Sequence, residues 1–232
     1  MGSTRLPGKV LAPLAGTTVL GLLLDRLARS VSVDAMVVAT TTGADDDPIV
    51  TEAERHGAVV VRGPVDDVLE RFVLAVDASR AAIAVRLTAD CPLTDPYWVD
   101  ATVEPVAAGR ADLAHNAGPA YVRGFDVEAV ATAALRQAAE SATAPHERVH
   151  VTPWLYEQGD RFRIEEVAWP DDGSDLRLTV DTDDDLAVVR AVCDRVPDPV
   201  TASWQDFVAV LRDDPALAAR NAHVRQKDVG EG

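Results

Sequence analysis

The run Arg86-Leu87-Thr88-Ala89-Asp90-Cys91-Pro92-Leu93-Thr94-Asp95-Pro96 decides how this chain folds. Residues 82–87 form an apolar stretch that reads as a buried strand, ending at Thr88-Ala89-Asp90. Asp95-Pro96 then supplies a helix cap with proline at the first helical position, and a helix is expected to run toward Gly109. Strand, acidic tip and helix in succession is the unit of α/β folds, whose ligands gather beyond the carboxyl ends of the strands. Asp90 stands at such a strand end, where a hard carboxylate suits Mg²⁺ alongside substrate phosphates. Asp95 is explained as the cap, and Cys91 as a small packed residue with no activating base beside it.

The same unit recurs in both directions. Upstream, Thr17 or Thr18 caps a helix through Ser30, and residues 35–40 read as a strand. Asp47-Pro48 opens a helix ending near Gly57, followed by a strand over 58–61 and a helix over 65–76. Downstream, residues 112–128 read as short strands around a Gly-Pro turn, with helices over 127–140 and 145–156 and strands over 162–168 and 176–180. Helices close the chain after Asp181. The expectation is an α/β three-layer sandwich with a mainly parallel sheet. One domain over residues 1–225 is expected, with a nucleotide-binding half over about 1–110, an acceptor half over 111–200, closing helices to 225 and a flexible tail over 226–232.

Composition narrows the class. The 232 residues carry 38 acidic against 22 basic side chains, a net charge of -16, which argues against a nucleic-acid or anionic-membrane partner. No apolar run approaches the roughly 20 residues of a spanning helix, and no basic-then-apolar leader is visible. With only Cys91 and Cys193, a disulfide scaffold is not expected and a reducing cytoplasm is the expected compartment. Lysine occurs only at Lys9 and Lys227, so Lys9 reads as a place where a compact ammonium is wanted.

Lys9 closes the loop Gly2-Ser3-Thr4-Arg5-Leu6-Pro7-Gly8-Lys9, which combines close backbone approach, hydroxyls and two cations, a set suited to a polyphosphate. It is not a Walker A loop: five residues separate Gly2 from Gly8, and Val10 stands where that motif needs Ser or Thr. No strand precedes this loop within the chain, although a doubly wound sheet usually begins with one. A second strand tip, Leu176-Arg177-Leu178-Thr179-Val180-Asp181, offers Asp181 as partner to Asp90, while Asp183, Asp184 and Asp185 read as charges complementing a helix N-terminus. Arg62 and Asp67 edge the expected pocket, and Asp126, Glu128, Glu147 and His150 gather polar groups in the second half. Nothing has zinc-ligand spacing.

Seven ordered motifs, GSTRLPGKVL, VVATTT with DDDPIV, RGPVDDVLERF, RLTADCPLTDP, GFDVEAV, HERVHVTPWLYE and LRLTVDTDDDL, together resemble the cytidylyltransferase family that includes spore coat polysaccharide biosynthesis protein F. That family is related to the CMP-sugar-acid synthetases acting on Kdo and sialic acids. The resemblance implies a nucleotide-diphospho-sugar transferase fold, Rossmann-like and of the glycosyltransferase-A type, with CTP as donor, Mg²⁺ as metal and a sugar or sugar acid as acceptor. By motif, Gly2, Ser3, Arg5 and Lys9 are implied in triphosphate binding, Asp90 and Asp181 in metal binding, and Thr40 and Thr41 in base contact. Arg5, Lys9 and Asp90 carry catalysis on this reading, and Asp126, Glu128, Glu147 and His150 lie on the acceptor side. Two departures stand out. Relatives place an apolar strand ending in a Gln-Ala-Arg-like segment before the glycine loop, which leaves two neighbouring strands here with unpaired edges. Asp183-Asp184 also replaces the usual Pro-Glu. The competing expectations are uridylyl or guanylyl transfer to a sugar phosphate, a glycosyltransferase, or a silent binding subunit of the same fold. Oligomeric state is left open, a homodimer being one outcome.

Overall fold

In a computed structural model, Ser3 and residues 5–225 are described. A hairpin of β1 (Pro13–Leu14) and β2 (Thr17–Thr18) feeds α1 (Val19–Leu27), whose N-cap hydroxyl on Thr18 accepts from Gly21 N at 2.9 Å. Alternation then follows: β3 (Val37–Thr41), α2 (Asp47–Arg55), β4 (Val59–Gly63), α3 (Val68–Ser79), β5 (Ile83–Arg86) and α4 (Pro96–Ala107). The second half contributes β6 (Leu113–His115), β7 (Glu128–Ala131), α5 (Thr132–Ser141), α6 (Pro145–His150), α7 (Pro153–Glu157) and β8 (Ile164–Glu166). The chain closes with α8 (Asp183–Cys193), α9 (Trp204–Asp213) and α10 (Pro215–Ala218). The expected α/β class stands.

The sheet is mixed where a mainly parallel one was expected. β3 and β4 pair in parallel as a two-stranded unit, and a second sheet runs β5-β7-β6-β8. In it β7 is antiparallel to both β5 and β6, and only β6 and β8 are parallel. Among the described residues β3 and β5 each keep one edge without a strand partner.

Three local expectations are corrected. Residues 127–140 read as one helix, but Glu128–Ala131 is strand β7 and the helix begins at Thr132. Ala129 and Val130 are fully buried between two neighbouring strands, and that packing overrides the helix preference of Glu and Ala. Residues 145–156 split into α6 and α7 at Val151, which has positive φ. Residues 176–180 form no ladder strand. A single bridge joins Arg177 to Arg123, with Leu178 N donating to Arg123 O and Val180 N to Asp90 O. That close approach needs Gly124, at φ 108, because a Cβ there would lie 2.5 Å from the Leu178 carbonyl carbon. The tail over 226–232 lies outside the described residues.

The main core sits between α1, α4, α8, α9 and the sheet, with Trp98, Trp169 and Trp204 in mutual ring contact. Arg26 is fully buried within it and ties α1 to the C-terminal region through Thr94 O, Pro199 O and Ala202 O. Asp95 caps α4 as expected and also accepts from Trp204 N at 2.6 Å, docking α9 onto the same helix start.

Candidate active site

Gly8, at φ 72, turns the basic loop inward and delivers Lys9 to the strand tips. The Lys9 ammonium donates to Asp90 Oδ2 at 2.6 Å and to Asp181 Oδ1 at 2.8 Å, joining residues 81 and 172 positions away. Arg5 Nη2 lies 3.0 Å from the same Asp181 oxygen, and Arg177 Nη2 donates to Asp181 Oδ2 at 2.6 Å. Burial works against the charge of Lys9, but Asp90 and Asp181 outweigh it and raise its pKa above the ordinary lysine value. Burial likewise opposes the charge of Asp181, yet Lys9, Arg177 and Arg5 hold its carboxyl below the ordinary range. Two carboxylates that reach one nitrogen can reach one divalent cation in its place, and their hard oxygens fit Mg²⁺ or Mn²⁺.

Beneath this cluster lies a hub absent from the sequence reading. Asp185 is fully buried and accepts from Arg177 Nε at 2.8 Å, Asn221 Nδ2 at 2.9 Å and the Asp181 and Thr182 amides at 3.0 Å. Of the three acids read as helix-terminal charges, Asp183 and Asp184 are exposed, but Asp185 fixes the segment that carries Asp181. Arg177 was missed as well. Its signal was a cation four residues before Asp181 in an extended run, where even spacing puts both side chains on one face.

Beside Lys9 a cavity of about 170 Å³ is lined by Ser3, Val38, Ala39, Thr40, Ile49 and Ala89 among others. Thr40 contributes to its wall while its hydroxyl donates to the buried Asp46 at 2.8 Å, and Thr41 donates to the same carboxylate at 2.6 Å. Arg62 braces the loop after β3, donating to Thr41 O, Gly43 O and Asp47 Oδ1. Asp67 caps α3 and accepts from Arg148. Gly2 lies outside the described residues.

A larger cavity, about 440 Å³, opens against Arg86, Glu128, His146, His150, Thr152 and Tyr156. Glu128 accepts from Arg86 Nη1 at 2.8 Å, Thr152 Oγ1 at 3.0 Å and Tyr156 Oη at 2.8 Å. Between His150 and Thr152 sits Val151, fully buried, at φ 76 and ψ -54 in a γ-turn closed by Thr152 N to His150 O at 3.0 Å. A β-branched residue in that region stores roughly 1–3 kcal/mol of strain, which surrounding packing must hold. Of the other acceptor-side candidates, Glu147 accepts from the Thr143 and Ala144 amides and Asp126 from Gly124 N, so both stabilise local turns. The structure thus joins Arg5, Lys9, Asp90 and Asp181 in one cluster and sets Glu128 and His150 on the wall of one cavity, which Asp67, Asp126 and Glu147 do not line.

Mixed α/β sheets and a basic loop that meets two acids beside a cavity place the chain in the nucleotide-diphospho-sugar transferase fold. Residues 1–193 match the family model described as cytidylyltransferase, and the chain belongs to that family. It is 32% identical over 232 residues, 99% of its length, to uncharacterized protein MJ1063 of Methanocaldococcus jannaschii, 94% of which is covered. It is 29% identical over 226 residues to spore coat polysaccharide biosynthesis protein SpsF of Bacillus subtilis, covering 94% of this chain and 93% of the relative. A solved cytidylyltransferase from Leptospira borgpetersenii superposes with a TM-score of 0.90 at 31% identity, covering 98% of this chain and 95% of that one.

Proposed function

We propose that the chain transfers the cytidylyl group of CTP to a hydroxyl of a sugar or sugar acid, releasing pyrophosphate, with Mg²⁺ as the cation. The observation that carries this reading is Lys9 held between Asp90 and Asp181. It is a site already built to balance anionic oxygens against cations. The acceptor oxygen gives up its proton to solvent and bonds to the α-phosphorus as the bond to the bridging pyrophosphate oxygen breaks. Lys9 and Arg5 hold and neutralise the departing pyrophosphate, and preorganised charge of this kind is the largest source of help in phosphoryl-type transfer. Asp90 and Asp181 would hold the metal, which supplies charge neutralisation at the phosphates. Ser3 and Thr40, on the wall of the smaller cavity, receive the nucleotide, with Thr41 and Arg62 shaping the loop behind it. The larger cavity receives the acceptor, with Glu128 and His150 on its wall. Asp67, Asp126 and Glu147 hold the frame. Residues 1–225 work as one domain in the cytoplasm, feeding a surface polysaccharide or a secondary metabolite, in line with the spore coat polysaccharide biosynthesis for which the SpsF relative is named.

The test is pyrophosphate release over a panel of CTP, UTP and GTP with Mg²⁺, together with the melting temperature in each nucleotide. CTP is expected to give release and to raise Tm, since a ligand stabilises the state it binds. Asp90→Asn should lose about 10³-fold in release while keeping a cooperative melt. Near-normal release by that variant would refute the site, and preference for UTP or GTP would refute the nucleotide.

A further inference from the structure

Arg86 stands on the wall of the larger cavity in an arrangement more elaborate than a cross-strand ion pair requires. It lies directly opposite Glu128 in the β5–β7 register, and its Nη1 donates to Glu128 Oε2. Glu128 is held from three sides, since Thr152 donates to both of its oxygens and Tyr156 to Oε1. Three groups thus donate to its carboxylate, two hydroxyls and the guanidinium. Burial, then Glu128 itself, raises the Tyr156 pKa, so that hydroxyl stays a donor. Arg86 is in the opposite condition. A guanidinium has five N–H donors and no acceptor, and among the described residues only Nη1 is engaged. Arg86 lines a cavity whose inner carboxylate already accepts from three groups, while Glu157 at the rim is half-exposed and paired with His146. Arg86 carries more N–H donors than the one engaged with Glu128, so a ligand group that only accepts complements it.

The place of Arg86 supplies the second argument. Asp90 follows four residues later, just beyond β5, so their Cα atoms are at most about 14 Å apart, and Asp90 is one of the two acids that hold Lys9. The strained turn at Val151 holds Thr152 and the start of α7, which carries Tyr156, against Glu128. Strain of this kind gathers where side-chain placement is demanding.

We propose that Arg86 is the specificity-determining residue of this cavity and binds an oxyanion, carboxylate or phosphate, on the acceptor sugar. Glu128, Thr152 and Tyr156 are positioning residues that set the plane of its guanidinium. The inference rests on the cytidylyltransferase reading for its acceptor, but its first test is read without nucleotide. Saturation-transfer NMR of the full chain with D-glucuronate, D-glucose 1-phosphate and D-glucose should show binding of at least one anionic sugar and not of D-glucose, and the two anionic arms separate carboxylate from phosphate. Arg86→Gln should abolish that binding, and Arg86→Lys, which keeps the charge but not the fork, should weaken it at least tenfold. Both variants should melt cooperatively. Equal binding by wild type and Arg86→Gln, binding of D-glucose as strong as the anionic sugars, or no binding of either anionic sugar overturns the proposal. In turnover with CTP and whichever anionic sugar binds, Arg86→Gln should raise KM about 50-fold with the Kd for CTP unchanged. Tyr156→Phe should raise KM about threefold with kcat unchanged, and a fall in kcat alone would remove its positioning role. Failure of CTP to bind would sink the nucleotide reading and leave the NMR result standing.

Discussion

The two clusters at the strand ends balance their charge in opposite ways. Around Lys9 the balance is closed: Asp90 and Asp181 already face Lys9, Arg5 and Arg177, and Asp185 holds Arg177 from below. Around Arg86 it is open: Glu128 already accepts from three groups, while Arg86, on the cavity wall, engages it through one nitrogen. A ligand entering the first cluster must exchange with a protein cation, whereas a ligand entering the second adds to donors already waiting. Exchange suits a charged nucleotide tail that arrives with its own cation, and addition suits an acceptor that must be told from its neutral analogues.

The strongest way to break that contrast is Lys9→Met. Turnover should fall by roughly 10³-fold with the loss of a transition-state cation. Mn²⁺ binding in the absence of nucleotide, followed by electron paramagnetic resonance, should tighten about tenfold as the competing ammonium disappears. Unchanged Mn²⁺ affinity would mean that Lys9 and the metal do not share a place. Next in size is Asp185→Asn, which strips the buried partner from Arg177 and should cost about 3 kcal/mol of unfolding free energy in urea. A loss below about 1 kcal/mol would show that Asn221 and Asp181 suffice to hold Arg177. The smallest effect belongs to the open cluster. Tyr156 keeps its proton in the folded chain after the unfolded chain has given it up near pH 10, because burial and then Glu128 raise its pKa. Above pH 10 the unfolded state therefore binds fewer protons, and stability falls as pH rises. Tyr156→Phe has no such proton, so its deficit against wild type should narrow above pH 10. With the ring 39% exposed, the whole change should stay under about 1 kcal/mol. A constant deficit from pH 8 to 11 would show that the phenol does not titrate against folding.

Much of this was readable beforehand because it is local. The Asp95-Pro96 helix start, the Thr18 cap, the α/β alternation and the two strand-tip acids each depend on neighbours a few residues away. The loop cations and Asp90 were identifiable from residue type at a strand end, and the structure brings them together across the chain. What was misread depended on remote partners. Glu128–Ala131 has a helix-forming composition, yet two flanking strands make it the centre of a sheet. Asp185 looked like one of three equivalent helix-terminal acids until burial beside Arg177 set it apart from Asp183 and Asp184.

The sequence by itself determined the α/β alternation of the first half, the basic loop and the acids that meet it. Hydrogen bonding within a few residues and the spacing of apolar side chains are written into the local chain. Only the tertiary structure decided which acid is a ligand candidate and which a brace, where Val151 bends the chain, and which cation is left with donors to offer. Those outcomes depend on burial and on partners tens to hundreds of residues away, which set how each charge is balanced.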